Sequence, residues 1–222
     1  DLLRGWDFQM REEAPQPLIF DAWLIALTEA VFADELGEAF DEFLGWEADT
    51  LQRALVEDQG WCDDRRTPTA ESCEEQLRAS LDRALDDVSE RLGADMGTWR
   101  WGDLHKARFA HPVFTSVPVL GRLFDRTIEV GGDYYTAFRA VPRIRGEQRF
   151  TAVHGAGVRV VFDLADLDRS QFELGPGQSG NVLSRHYDDQ LLSWRLGHGW
   201  AIVKPREGIP MRTTFLVPLS GS

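Results

Sequence analysis

The sequence predicts an α+β fold, helical first and β-rich later. Two observations carry this. Up to about residue 95, apolar side chains recur at the i, i+3, i+4 spacing of amphipathic helices. After about residue 96, short strand-like runs alternate with turn residues, which is the pattern of antiparallel sheets. Composition adds a third: 43% hydrophobic residues and eight Trp in 222 residues supply one sizeable core, in one or two domains. The expected division is a helical segment over residues 1–95 and a β-rich part over residues 96–222.

The first helix starts at Pro15 and Pro17. Leu18, Ile19, Ala22, Trp23, Ala26, Leu27, Ala30 and Val31 give it a broad apolar face. Gly37 interrupts it, and Phe40, Phe43 and Leu44 continue in a short second helix that Gly45 ends. Leu51, Ala54 and Leu55 mark another short helix before Gly60. The clearest helix follows. Thr67 is its expected N-cap and Pro68 its first residue, and Glu71, Glu74 and Glu75 suit the positive end of the dipole. Leu77, Leu81, Leu85, Val88 and Leu92 form its expected buried stripe, with Arg91 in the last turn and Gly93 as a left-handed stop.

Beyond it, Trp99, Trp101, Phe109 and Phe114 sit among Gly and Pro and predict irregular packing over a core. Strands are expected at 127–130, 148–153, 158–164, 170–174 and 213–217. In 158–164, Val158, Val160, Phe162 and Leu164 face one side, and Arg159, Val161 and Asp163 the other. His154-Gly155-Ala156-Gly157 reads as a hairpin connection, and 166–169 as a second turn.

Net charge is −13 and uneven. Residues 1–95 carry 25 acidic and 8 basic side chains, a net of −17, and the remainder 12 and 16, a net of +4. An acidic front half excludes the clustered basic face that nucleic-acid binding needs. It reads as a solvated helical surface. No run approaches the roughly 20 apolar residues that span a bilayer, and no signal peptide is visible. Cys62 and Cys73 flank a polar loop, and no further Cys or nearby His completes a four-ligand metal set. A disulfide closing that loop is the expectation, with two buried free thiols the alternative.

The most informative stretch is Gly175-Pro176-Gly177-Gln178-Ser179-Gly180-Asn181, running on to Ser184, His186, Tyr187, Asp188, Asp189 and Gln190. Its glycines permit close backbone approaches, and its polar run leads into a short helix. This string resembles the C-terminal signature of the penicillin acylase family, large N-terminal-nucleophile amidases. Trp61-Cys62-Asp63-Asp64, Glu71-Ser72-Cys73, Trp99-Arg100-Trp101-Gly102-Asp103-Leu104-His105 and Gly131-Gly132-Asp133 resemble that family in the same order. So do Val160-Val161-Phe162-Asp163-Leu164 and the opening Gly5-Trp6-Asp7.

The resemblance implies that the strands belong to an αββα sandwich, with the early helices as an elaboration. It implies a precursor cut so that a Ser begins the large subunit, its own α-amino group serving as general base. The chain begins with Asp1 and shows no such nucleophile segment. The nucleophile, the oxyanion-hole Asn and the ligands of a structural calcium are therefore expected upstream, and no cofactor or metal in this chain. The expectation is the C-terminal part of the large subunit, inactive alone. Its partners would be the remaining segments of the same processed precursor and a small-molecule amide substrate, with neither nucleic acid nor membrane. A periplasmic or secreted setting is implied, with which the disulfide agrees. An acyl-homoserine-lactone or lipopeptide acylase of the same family is one alternative, and a non-catalytic remnant or interaction module another.

Asp163 interrupts an apolar strand, where a buried carboxylate must be paired. The resemblance implies a supporting catalytic role, orienting groups around the nucleophile. The alternative is a strand-end carboxylate, exposed or bridged to Arg159. His105 and His111, with Asp103, have the wrong spacing for a metal on one helical face, so His105 is expected as a buried hydrogen-bonding residue tying helices to sheets. His154 and His186 lack a nucleophile in recognisable context. Ser179 fails as a GxSxG elbow, and with Gln178 and Asn181 it is expected to satisfy backbone groups in a buried loop. Tyr134 and Tyr135 after Gly131-Gly132-Asp133 depart from the family's small polar residues, which puts any shared role of that segment in doubt.

Overall fold

The computed structural model describes residues 2–43, 48–57 and 59–202. The expected helix end at Leu44 and Gly45 and the expected strand at 213–217 lie outside these residues. Helix α1 (Gln16–Leu36) starts directly after Pro15, with Pro17 in its first turn, where a missing N–H costs nothing. Gly37 ends it at φ 51°, and α2 (Phe40–Phe43) and α3 (Ala48–Glu57) follow. By length and composition, α1 and its short extension form a helix apolar enough to cross a bilayer. The expectation of no such run is corrected here. Most of that helix is buried within the fold, chiefly against α4 (Cys73–Leu92).

Two expectations for α4 are revised. Its N-cap is Ser72, not Thr67: the Ser72 hydroxyl accepts the Glu75 N–H at 3.3 Å, and the Glu75 carboxylate accepts the Ser72 N–H at 2.8 Å. Thr67 spends its hydroxyl on Glu71 and the Thr69 carbonyl instead. Cys73 is the first helical residue and is bonded to Cys62, so the disulfide and the cap fix the same point. The deepest positions on α4 are Gln76, Ser80, Ala84 and Val88, with Leu77, Leu81, Leu85 and Leu92 only partly buried beside them. Short side chains at 80 and 84 suit close approach of α1. The Trp23 indole N–H crosses that contact to the Ser80 hydroxyl and the Leu77 carbonyl, both at 3.1 Å. Gly93 closes α4 as expected of a glycine stop, at φ 90° and ψ 167° rather than in the left-handed helical region.

The second part contains α5 (Trp101–Leu104), β1 (Lys106–Phe109), α6 (Pro118–Phe124), β2 (Arg126–Glu129), β3 (Ala140–Pro142), β4 (Ala152–Gly155), β5 (Val158–Val161), β6 (Gln171–Leu174), α7 (Leu191–Leu196) and β7 (Trp200–Ala201). One sheet has the order β2-β1-β4-β3 and the other β5-β6-β7. The expected strand at 148–153 begins later, at Ala152. The expected hairpin through residues 154–157 does not form, because β4 pairs with β1 and β3 while β5 pairs with β6. Ala156 and Gly157 pass the chain from one sheet to the other. The turn at 166–169 does join an antiparallel pair, β5 and β6.

The buried apolar side chains form three clusters. Leu18, Ile19, Ala22 and Ile25 of α1 cluster with Ala84 and Val88 of α4 and with Trp99, Trp101 and Phe150. A second cluster joins α1 to α3 beside the disulfide, and a third gathers Ala107, Val130, Ala140 and Trp194. Trp194 links the two sheets. Its ring meets Phe109 of β1, Phe138 just before β3 and the Arg159 guanidinium of β5, and its N–H reaches the Ala156 carbonyl at 2.9 Å. A Cβ at Gly175 would lie 3.0 Å from the Trp194 ring, so a larger residue there would press on this contact.

Candidate functional site

Most of the residues singled out in the sequence fall into three separate places. The first is the turn after β5. Asp163 lies just past the strand, partly exposed, and its Oδ1 accepts the N–H of Ala165 at 3.0 Å and of Asp166 at 3.2 Å. Its own N–H donates to the Ser170 hydroxyl at 3.2 Å, and Arg169 stands 3.5 Å from Oδ2. The bridge to Arg159 does not form. Arg159 turns to the opposite face of the sheet, where it pairs with buried Glu173 and donates to the Trp194 carbonyl at 2.8 Å, its guanidinium 3.9 Å from the Phe138 ring centroid. Asp163 thus closes the β5–β6 turn.

The second place is the glycine-rich loop. Two successive N–H groups, from Gln178 and Ser179, converge on the His186 carbonyl at 2.9 Å each, and the Gln190 N–H returns to the Pro176 carbonyl at 3.0 Å. A Cβ at Gly177 would lie 2.5 Å from the carbonyls of His186 and Tyr187, so only glycine lets the two arms meet. The loop satisfies its backbone groups locally as expected, but it is not buried: Gln178, Gly180, Asn181 and Leu183 are exposed. The Ser179 hydroxyl accepts the Asn181 N–H at 3.1 Å, a local turn contact with no base at hand. His186 pairs through Nδ1 with Asp189 at 2.7 Å, on the surface. Tyr187 and Asp188 anchor the loop to the Phe124 carbonyl and Arg126. His154 stands elsewhere, in β4, at a cleft of about 120 Å³ where β1 and β4 diverge beside Phe109 and Trp194.

The third place is interior. His105 is fully buried and stacked on Trp101 at 4.1 Å, and its Nδ1–H donates to the Phe150 carbonyl at 2.6 Å. Burial lowers its pKa to about 4, against the raising effect of backbone contacts from Phe150 and Ala140, so the ring is neutral near pH 7. The Trp101 indole N–H bonds the Gly132 carbonyl at 3.0 Å, and Gly132, at φ 81°, has no room for a Cβ against the Phe138 carbonyl. His105 therefore ties α5 to the sheet, as the sequence implied.

The sequence reading missed Asp21. It sits in α1 between Leu18 and Ala22, wholly buried, with no hydrogen bond to either carboxylate oxygen among the described residues. Desolvation by burial, and then the nearby Asp133 charge, push its pKa well above the usual carboxylate range. Asp133 is itself buried and raised by desolvation, against a hydrogen bond from the Tyr134 N–H. The signal was available: Asp21 falls on the apolar face of α1, where a charge has no solvent. The mirror case is Asp125, held down to about 2 by the His111 N–H, then Arg108 and Thr115.

The expected disulfide between Cys62 and Cys73 is present, closing the polar loop over residues 62–73. Among the described residues, no group of three or more His, Cys, Asp or Glu side chains could hold a metal ion. Each of the three places is held by its own hydrogen bonds, and the glycine-rich loop alone approaches Trp194, through Gly175.

Comparison with known proteins accounts for this arrangement. The penicillin amidase family profile matches residues 1–208. Among curated relatives, the acyl-homoserine lactone acylase QuiP of Pseudomonas putida is 29% identical over 204 residues, covering 88% of this chain and 25% of that protein. QuiP of Pseudomonas aeruginosa is 27% identical over 218 residues, covering 89% and 26%. A penicillin acylase 2 proenzyme of a Pseudomonas species is 33% identical over 118 residues, covering 52% and 15%. The solved thermostable penicillin G acylase from Alcaligenes faecalis superposes at a TM-score of 0.53 and 19% identity, over 99% of this chain and 42% of that one. The chain thus spans about a quarter of the length of the QuiP relatives it matches, and it shares the α+β fold of the acylase structure. It belongs to the penicillin amidase family.

Proposed function

We propose that this chain is the C-terminal portion of the large subunit of an amide hydrolase, with the reacting serine supplied by another part of the same precursor. In the proposed reaction the serine oxygen attacks the amide carbon, and its proton passes by way of the free α-amino group to the departing amine. Water then cleaves the resulting acyl ester. Oxyanion-hole donors, also outside this chain, would stabilise the tetrahedral intermediates. The chain's own contribution is scaffold. The glycine-rich loop, Trp194 and the Arg159–Glu173 pair hold two sheets in register, and Asp163 is a positioning residue that fixes the end of β5.

The observation that carries this reading is the near end-to-end family match, set against histidines and serines committed to local or buried contacts. A more specific reading, N-acyl homoserine lactones as substrates, is favoured by relatives of that name whose matches cover 86–90% of this chain. The penicillin acylase match covers 52%. The disulfide and the relatives support a periplasmic or secreted location. The test is hydrolysis of an N-acyl homoserine lactone and of penicillin G by the full-length precursor and by the 222 residues alone. Release of the amine by the precursor only is expected; turnover by the 222 residues alone would overturn the placement of the nucleophile.

A further inference from the structure

The sheet of β5, β6 and β7 presents an apolar face that the described residues leave about half exposed. Its register sets Val160 opposite Phe172 and Phe172 opposite Trp200, with Val158 opposite Leu174. Directly opposed side chains share a face, so Val160, Phe172 and Trp200 form an apolar row across all three strands. They are 44%, 36% and 51% exposed. Val158 continues the row along β5, and Phe162 and Leu164, at 65% and 88%, carry it past the strand end. The opposite face has the Arg159–Glu173 pair packed under Trp194.

The outer edge of β5 has no partner strand among the described residues. Edges that stay in water are blunted by charge or proline, and the other sheet does both. Edge strand β2 carries Arg126 and Glu129, and edge strand β3 ends in Pro142. Edge strand β5 carries neither lysine nor proline, and its one charge, Arg159, is turned inward to Glu173.

We propose that the β5 edge and the Val160–Phe172–Trp200 face seat another segment of the same polypeptide, outside residues 1–222. That segment is an extended strand paired to β5, its apolar side chains continuing the row. The inference rests on the reading of the chain as part of a larger acylase, and it names where the larger body attaches. The occupant follows from the length of the relatives, about four times the matched region, and from the superposed acylase, of which this fold overlays 42%. It follows also from the face itself, since charge-depleted apolar surface marks permanent interfaces rather than transient ones. Backbone pairing to a free edge supplies affinity, and side chains at alternate positions supply register.

Hydrogen–deuterium exchange of residues 158–162 tests it, in the full-length precursor and in the 222 residues alone. Protection rising at least about a hundredfold in the precursor, roughly a 2.7 kcal/mol change in local opening, is the expected result. Val160→Glu should abolish that protection and cut soluble precursor severalfold, yet leave the 222-residue chain as soluble as before or more so. Val119→Glu, at an exposed position on α6 away from this sheet, should change neither. Equal exchange in the two forms, or a Val160→Glu precursor with intact protection, overturns the proposal. So does protection that appears in the short chain alone as its concentration rises, with dimers in sedimentation, because a second copy is then the occupant. Amide hydrolysis by a precursor with unprotected β5 would sink this proposal and leave the acylase reading standing. Protected β5 in a precursor that hydrolyses no acyl amide would do the reverse.

Discussion

The helical layer and the β5–β7 sheet use similar side chains to different ends. In the helical layer, Leu18, Val31, Val88, Trp99 and Trp101 are at most 1% exposed. The layer is stapled by Cys62–Cys73 and capped at Ser72. In the sheet, Val161, Phe162, Leu164 and Trp200 are 51–88% exposed, and the best-buried members are a charged pair beneath Trp194. The first region buries its apolar side chains by packing α1 on α4, far apart in sequence, and on Trp101 and Phe150, beside a loop pinned by the disulfide. The second leaves comparable apolar side chains half in water, and it is against these that the proposed further segment of the polypeptide would pack.

Substitutions of one residue type in both regions sharpen the contrast. Trp101→Ala should cost about 4 kcal/mol in chemical denaturation of the 222-residue chain, by loss of a fully buried ring. Trp200→Ala in the same chain should cost less than about 1 kcal/mol, because its ring is half in water already. Equal losses would break the comparison. Replacing Cys62 and Cys73 together by Ser should cost about 3 kcal/mol by freeing a short loop in the unfolded chain. That loss should leave β5 exchange unchanged.

Acidity separates the buried groups of the interior by sign. His105 is neutral when folded, with a pKa of about 4 against an ordinary 6.5, so the unfolded chain binds the extra proton between those values. Stability is full above about pH 6.5 and falls as pH drops toward about 4, by roughly 3 kcal/mol in all. Asp21 works in the other direction. Its folded pKa is raised by burial and by Asp133, so its stability contribution is full below the ordinary carboxylate value and is lost as pH rises. Asp21→Asn should therefore be more stable than the parent near about pH 8, the gap closing toward about pH 4. Denaturation midpoints across pH check both, and curves flat from about pH 4 to about pH 8 in the parent and in Asp21→Asn alike would contradict them. Ser72→Ala should cost about 1 kcal/mol for one lost cap, read by thermal unfolding.

What the sequence disclosed follows the range of the forces involved. Helices α1, α3 and α4 were legible because their periodicity is local, and the cap of α4 was misplaced by five residues because Thr67 and Ser72 both offer a hydroxyl. The disulfide and the capping box decide between them at Cys73. β1 was missed because Lys106-Ala107-Arg108-Phe109 buries only an alanine fully, and Ala107 carries no strand signal. The hairpin at 154–157 was a fair local reading that sheet partnership overrode, since β4 closes on β1 and β3. At the candidate site, the glycine-rich loop and His105 were legible as structure. Asp163 was legible as a strand-end carboxylate, but its partner Arg169 lies across a turn that no spacing specifies. Asp21 was overlooked because a single acid on an apolar helix face reads as noise until burial is known.

The central claim is that these residues scaffold a reaction centre housed elsewhere in the same polypeptide. It is tested most directly by following amine release from an N-acyl homoserine lactone, with the full-length precursor and with residues 1–222 in parallel. The account predicts turnover by the precursor and none by the 222 residues. Turnover by the 222 residues on their own would contradict it.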